Sequence, residues 1–140
     1  MTKIVNSSLE MEIKMAEVRV IKLNESVYSK NDNQADMTRR TLNDKKVFFV
    51  NIMSSPGSGK TTMLSRLINM LKDDYRIGEM DVDIESDIDA RRVAESTGVK
   101  TMQIHNGGLC HIDAKMTADA ISEYGVDDLD ILFLENIGNL

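Results

Sequence analysis

The run Ser54-Ser55-Pro56-Gly57-Ser58-Gly59-Lys60-Thr61 carries the clearest chemistry in the chain. Gly57 and Gly59 let the backbone turn its N–H groups inward around an anion. A helix starting near Lys60 would add the positive end of its dipole. The Lys60 ammonium could then reach the β- and γ-phosphates of a nucleotide, and the Thr61 hydroxyl could ligate Mg²⁺. The bland alternative is a Gly-rich turn followed by an exposed lysine.

Three other clusters hold reactive side chains. The first is the run Ile131-Leu132-Phe133-Leu134-Glu135, an apolar stretch that ends in an acid. A carboxylate at the C-terminal end of a strand can hold a Mg²⁺ shell or orient water. Glu135-Asn136-Ile137-Gly138 then reads as a switch loop, with the Gly138 N–H facing the γ-phosphate. The second is the pair Asp81 and Asp83, either of which could approach Mg²⁺ or an attacking water. Six acids lie between Glu79 and Asp89, so a solvated acidic loop is the competing reading. The third is Cys110-His111, set just before an expected helix. Thiolate and imidazole together suit Ni²⁺, Zn²⁺ or Cu, but two ligands do not make a tight site. A small buried cysteine is the alternative. His105 reads as a strand-end or surface histidine.

The elements that must position these residues follow from local patterning. Val47–Met53 is apolar and β-branched and predicts a buried strand. After the break at Pro56–Gly59, Met63, Leu64, Leu67, Ile68 and Leu71 mark one face of a helix over Thr61–Leu71. Further strands are expected at Tyr75–Val82, Val99–Ile104 and Asp130–Glu135. Further helices are expected at Asp87–Thr97, closed by Gly98, and at Asp113–Tyr124, closed by Gly125. Alternating strands and helices imply a parallel α/β sheet. Residues 1–45 read as an N-terminal extension. It holds a helix and a short strand near Val18–Leu23, then the polar stretch Ser29–Asp36, then a helix to about Asn43. Residues 46–140 read as the N-terminal part of a P-loop domain.

Composition narrows the function. With 140 residues and 41% apolar content, the chain can bury one domain core. Its longest apolar runs have four residues, Val47–Val50 and Ile131–Leu134, too short to span a bilayer. A net charge of −6 argues against coating nucleic acid, which needs a basic face. One cysteine excludes an internal disulfide framework, and no signal segment opens the chain, so a cytoplasmic location is expected.

Taken together, Val50–Thr62, Asp81–Val93, Gly107–Ala114 and Leu132–Leu140 resemble the hydrogenase nickel incorporation GTPases of the HypB type. These are dimeric P-loop GTPases of the SIMIBI class, related to the urease accessory GTPase. The resemblance implies that Gly57, Ser58, Gly59, Lys60, Thr61 and Thr62 cradle GTP and Mg²⁺. It implies that Asp83 is the switch aspartate serving Mg²⁺ and hydrolysis, and that Glu135 and Gly138 form the acidic switch segment. Cys110 and His111 would bind nickel or zinc at a dimer interface. The implied task is GTP-gated nickel delivery to a [NiFe]-hydrogenase large-subunit precursor, with a nickel-binding partner chaperone. At Leu140 the sequence stops where the family continues into a V-C-P segment, whose cysteine is a further metal ligand. The guanine-specificity motif N/T-K-x-D is also absent, so the sheet and the metal site are expected to be incomplete. Alternatives are a non-enzymatic Ni/Zn-binding module, a urease-accessory-type GTPase, and an ATP-using P-loop kinase or partitioning ATPase.

Overall fold

A computed structural model describes residues 24–82, 88–105, 107 and 112–136, with the side chains of 24–28 excepted. In chain order the elements are α1 (Asn24–Asp44), β1 (Phe48–Ile52), α2 (Lys60–Leu71), β2 (Ile77–Val82), α3 (Ile88–Thr97), β3 (Lys100–Ile104), α4 (Ala114–Tyr124) and β4 (Ile131–Glu135). The four strands form one parallel sheet in the order β1-β4-β2-β3. This is the α/β architecture expected from the alternation of elements. Among the described residues, no helix is long and apolar enough to cross a membrane.

Each face of the sheet is covered by helices, which is why its strands are apolar rather than alternating. On one face Leu64 and Ile68 of α2 and Val93 of α3 pack with Ile77 and Phe133. On the other, Leu42 of α1 and Ala120, Ile121 and Tyr124 of α4 pack with Met80, Val82, Leu132 and Leu134. The helical stripe read from α2 holds for Leu64, Leu67, Ile68 and Leu71, but Met63 is half exposed.

Two local readings differ from the structure. Ser29–Asp36, read as a polar stretch before a helix, is itself helical within α1. Its Asn31 side chain accepts the Ala114 N–H at the start of α4 at 2.9 Å, so a tertiary contact holds a segment of modest helix propensity. The second strand begins at Ile77, not Tyr75. Arg76 is instead clasped by Asp130, through Nη2–Oδ1 at 2.8 Å and Nε–Oδ2 at 3.0 Å. The guanidinium and the Arg76 N–H hold the Asp130 carboxyl down at about 2. The helix and strand expected within residues 9–23 lie outside the described residues.

Gly78 is required in β2 by what lies above it. A Cβ there would overlap the Tyr124 hydroxyl and sit 2.8 Å from Leu129 Cδ1. Tyr124 cannot yield easily, because its hydroxyl donates to the Lys100 carbonyl and Lys100 Nζ donates to the Tyr124 carbonyl at 2.6 Å. Gly78→Ala is expected to destabilise the fold by about 1–3 kcal/mol through overpacking. A urea melt of the variant at matched slope measures this.

Candidate functional site

The site is built where β1 and β4 end side by side. Ile52 and Glu135 are register partners, and the Asn136 N–H donates to the Ile52 carbonyl at 2.9 Å. From Ile52 the chain leaves the sheet, loops through Met53–Gly59 and enters α2 at Lys60. Gly57 and Gly59 have φ of +74° and +90°, the left-handed region where side chains are strained, and a Cβ at either would meet nothing within 4 Å. Both positions therefore face open space.

Gly59 caps α2 with no side-chain bond, and the first helical bond runs from the Met63 N–H to the Gly59 carbonyl. The earlier first-turn N–H groups are thus left for an anion. The loop is held by the Ser58 N–H donating to the Ser55 carbonyl at 3.2 Å and by a bond between the Ser54 and Ser58 hydroxyls. The Lys60 ammonium is folded back along it and donates to the Ser54 carbonyl at 3.3 Å. The Thr61 hydroxyl donates to Glu135 Oε1 at 2.7 Å. Hydroxyl and carboxylate from segments far apart in sequence thus meet beside the loop, a donor set suited to a hard cation such as Mg²⁺.

Behind Glu135 lies a group of acids. Asp81 is its register partner on β2, and Glu79 precedes Asp81 by two residues on the same face. All three carboxyls are buried, with ligand oxygens within 4.8 Å of one another. Burial, then the negative charges of Asp81 and Glu135, push the Glu79 carboxyl up to about 9.

The structure therefore gathers Gly57, Ser58, Gly59, Lys60, Thr61 and Thr62 on one loop and helix start, and brings Glu135 to Thr61. Asp81 joins them from β2. His105 is exposed just past β3, as expected. Asp83, Cys110, His111 and Gly138 lie outside the described residues. Sequence reasoning missed Glu79, counting it only among the acids of a loop. The signal was its even spacing from Asp81 within the strand expected at Tyr75–Val82.

Over residues 48–140 the sequence matches the family described as CobW/HypB/UreG, nucleotide-binding domain. The chain belongs to this family. The CobW/HypB/UreG assignment agrees with the P-loop between β1 and α2 and with the parallel sheet. The chain is 40% identical over 126 residues to the hydrogenase maturation factor HypB of Rhizobium leguminosarum bv. viciae, and 38% identical over 126 residues to that of Escherichia coli K12. Each alignment takes in 90% of this chain but only 42% and 43% of the relative. The chain thus spans less than half the length of these relatives. Its fold is similar to that of HypB from Archaeoglobus fulgidus, with a TM-score of 0.68 at 35% identity over 79% of this chain and 53% of that one. It is similar also to HypB from Helicobacter pylori in complex with nickel, with a TM-score of 0.67 at 35% identity, covering 79% of this chain and 52% of that one.

Proposed function

We propose that this chain is the nucleotide-binding part of a GTPase that gates nickel insertion into a [NiFe]-hydrogenase precursor. The observation that carries the reading is the Thr61–Glu135 bond beside an open glycine loop, in a chain whose relatives are hydrogenase maturation factors. The amides of Gly57–Thr62 and the Lys60 ammonium hold the phosphates. Thr61, Asp83 and Glu135 hold Mg²⁺, which when bound neutralises charge on the phosphate oxygens. Asp83 also orients the attacking water, and the Gly138 N–H senses the γ-phosphate. The chain's contribution is positioning and electrostatics rather than covalent chemistry.

Cys110 and His111 hold the metal cargo, nickel or zinc. Two donors per chain leave the coordination unfilled, so a nucleotide-dependent homodimer that pairs two such sets supplies the rest. A nickel-binding chaperone loads the site and the hydrogenase large-subunit precursor empties it, in the cytoplasm. A neighbour solved in complex with nickel supports this choice of metal.

The test is a competition titration of GTP against ATP on the nucleotide-free chain with Mg²⁺, followed by phosphate release. GTP is expected to bind more tightly and to turn over slowly. ATP preference would reject the GTPase reading. Nickel binding with no response to either nucleotide would leave a metal-binding module in its place.

A further inference from the structure

We infer that Glu79, Asp81 and Glu135 form an inner site for one hard divalent cation, Ca²⁺, Mn²⁺ or Mg²⁺, filled without nucleotide. Three carboxyls converge there from two adjacent strands, and the two strand-end acids, Asp81 and Glu135, are register partners. Glu79 sets this group apart from an ordinary solvated acidic cluster. It is 0% exposed and lies within reach of both other acids, neither of its oxygens makes a well-formed hydrogen bond among the described residues, and the Thr101 hydroxyl on β3 only weakly favours its charged form. The charges acting on it are both negative, those of Asp81 and Glu135. A carboxylate so placed carries an uncompensated desolvation cost unless it holds a proton or meets a cation.

The geometry suits a cation shared by all three. One oxygen from each acid lies within 4.8 Å of the other two, close enough for a single hard cation to be shared among them. All-carboxylate donors also separate this site from a thiolate–imidazole pair, which prefers softer metals. Glu135 takes part in both the inner site and the Thr61 contact, so an inner cation would fix the carboxylate that faces the phosphate loop.

The inference does not depend on the nucleotide reading, because its test omits nucleotide. The chain is stripped with a chelator and titrated with Mn²⁺, followed by electron paramagnetic resonance, with Ca²⁺ and Mg²⁺ as competitors. One bound Mn²⁺ per chain is expected. Glu79→Gln and Asp81→Asn should each weaken it at least about tenfold, while Thr61→Ala should retain it. Far-UV circular dichroism confirms that each variant is folded. Glu79→Gln keeps the shape and cannot ionise in the interior, so it should fold. No retained Mn²⁺, Ca²⁺ or Mg²⁺ at millimolar concentration overturns the inference, as does unchanged binding in Glu79→Gln. Loss of binding in Thr61→Ala would place the ion beside the phosphate loop and overturn it too.

Discussion

Lys60→Ala is expected to lower GTP affinity by on the order of 10²-fold or more and to abolish turnover. The ammonium is the only side-chain cation that the glycine loop itself carries. Its present partner is one neutral carbonyl, that of Ser54 at 3.3 Å, so it is free to transfer to a phosphate without breaking an ion pair. A charge-assisted bond to phosphate is roughly twice as strong as that neutral one. Removing a preorganised donor from developing charge typically costs about 10²–10³ in rate. The fold should be unaffected, because Lys60 occupies the first position of α2 and belongs to neither apolar cluster. Calorimetry with GTP, with circular dichroism as the folding control, measures the effect. Turnover equal to that of the parent chain would reject the phosphate-site assignment.

The metal-stripped chain is expected to lose stability steadily as pH rises from about 5 to 9, and Glu79→Gln is expected to flatten that slope. The Glu79 carboxyl sits near 4.5 in the unfolded chain and is pushed up to about 9 in the fold. Its folded value is raised, so the native state binds the extra proton throughout this window. Stability is therefore full below about 4.5 and declines as pH climbs towards 9. Each pKa unit is worth about 1.36 kcal/mol, so the total reaches several kcal/mol. That is a large part of the stability of an ordinary domain, about 5–15 kcal/mol. A fall in melting temperature on the order of 10 °C between pH 5.5 and 8.5 should be seen. Asp130, held down at about 2, and Tyr124, pushed up to about 12 chiefly by burial, titrate outside the window. A melting temperature that rises over the same range would contradict the burial of an unpaired Glu79.

How much of this could be read beforehand depended on the range of the interactions. The apolar runs at Val47–Val50 and Ile131–Leu134 declare buried strands by themselves, and Gly57–Thr61 declares an anion loop by type and spacing. The pairing of β1 with β4 is a long-range outcome that joins those two runs. Glu79 did not declare itself. Its burial depends on β2 lying between β4 and β3 with helices on both faces, and no run of residues around Glu79 encodes that strand order. Likewise Ser29–Asp36 looks unsuited to a helix until α4 is placed against it. Asp83, Cys110, His111 and Gly138 were legible only through residue type and motif, and remain proposals on those grounds.

The insertion of β4 between β1 and β2 also dictates when competence arises during synthesis. The glycine loop leaves the ribosome early, yet its carboxylate partner is 74 residues downstream. Until β4 arrives, β1 and β2 share no ladder, and each presents an unpaired edge. Long-range parallel pairing is slow to form. A nascent chain therefore cannot place Glu135 against Thr61 before β4 has threaded between β1 and β2. Loop and carboxylate come together only at that step, so the site cannot be assembled piecemeal from the early strands.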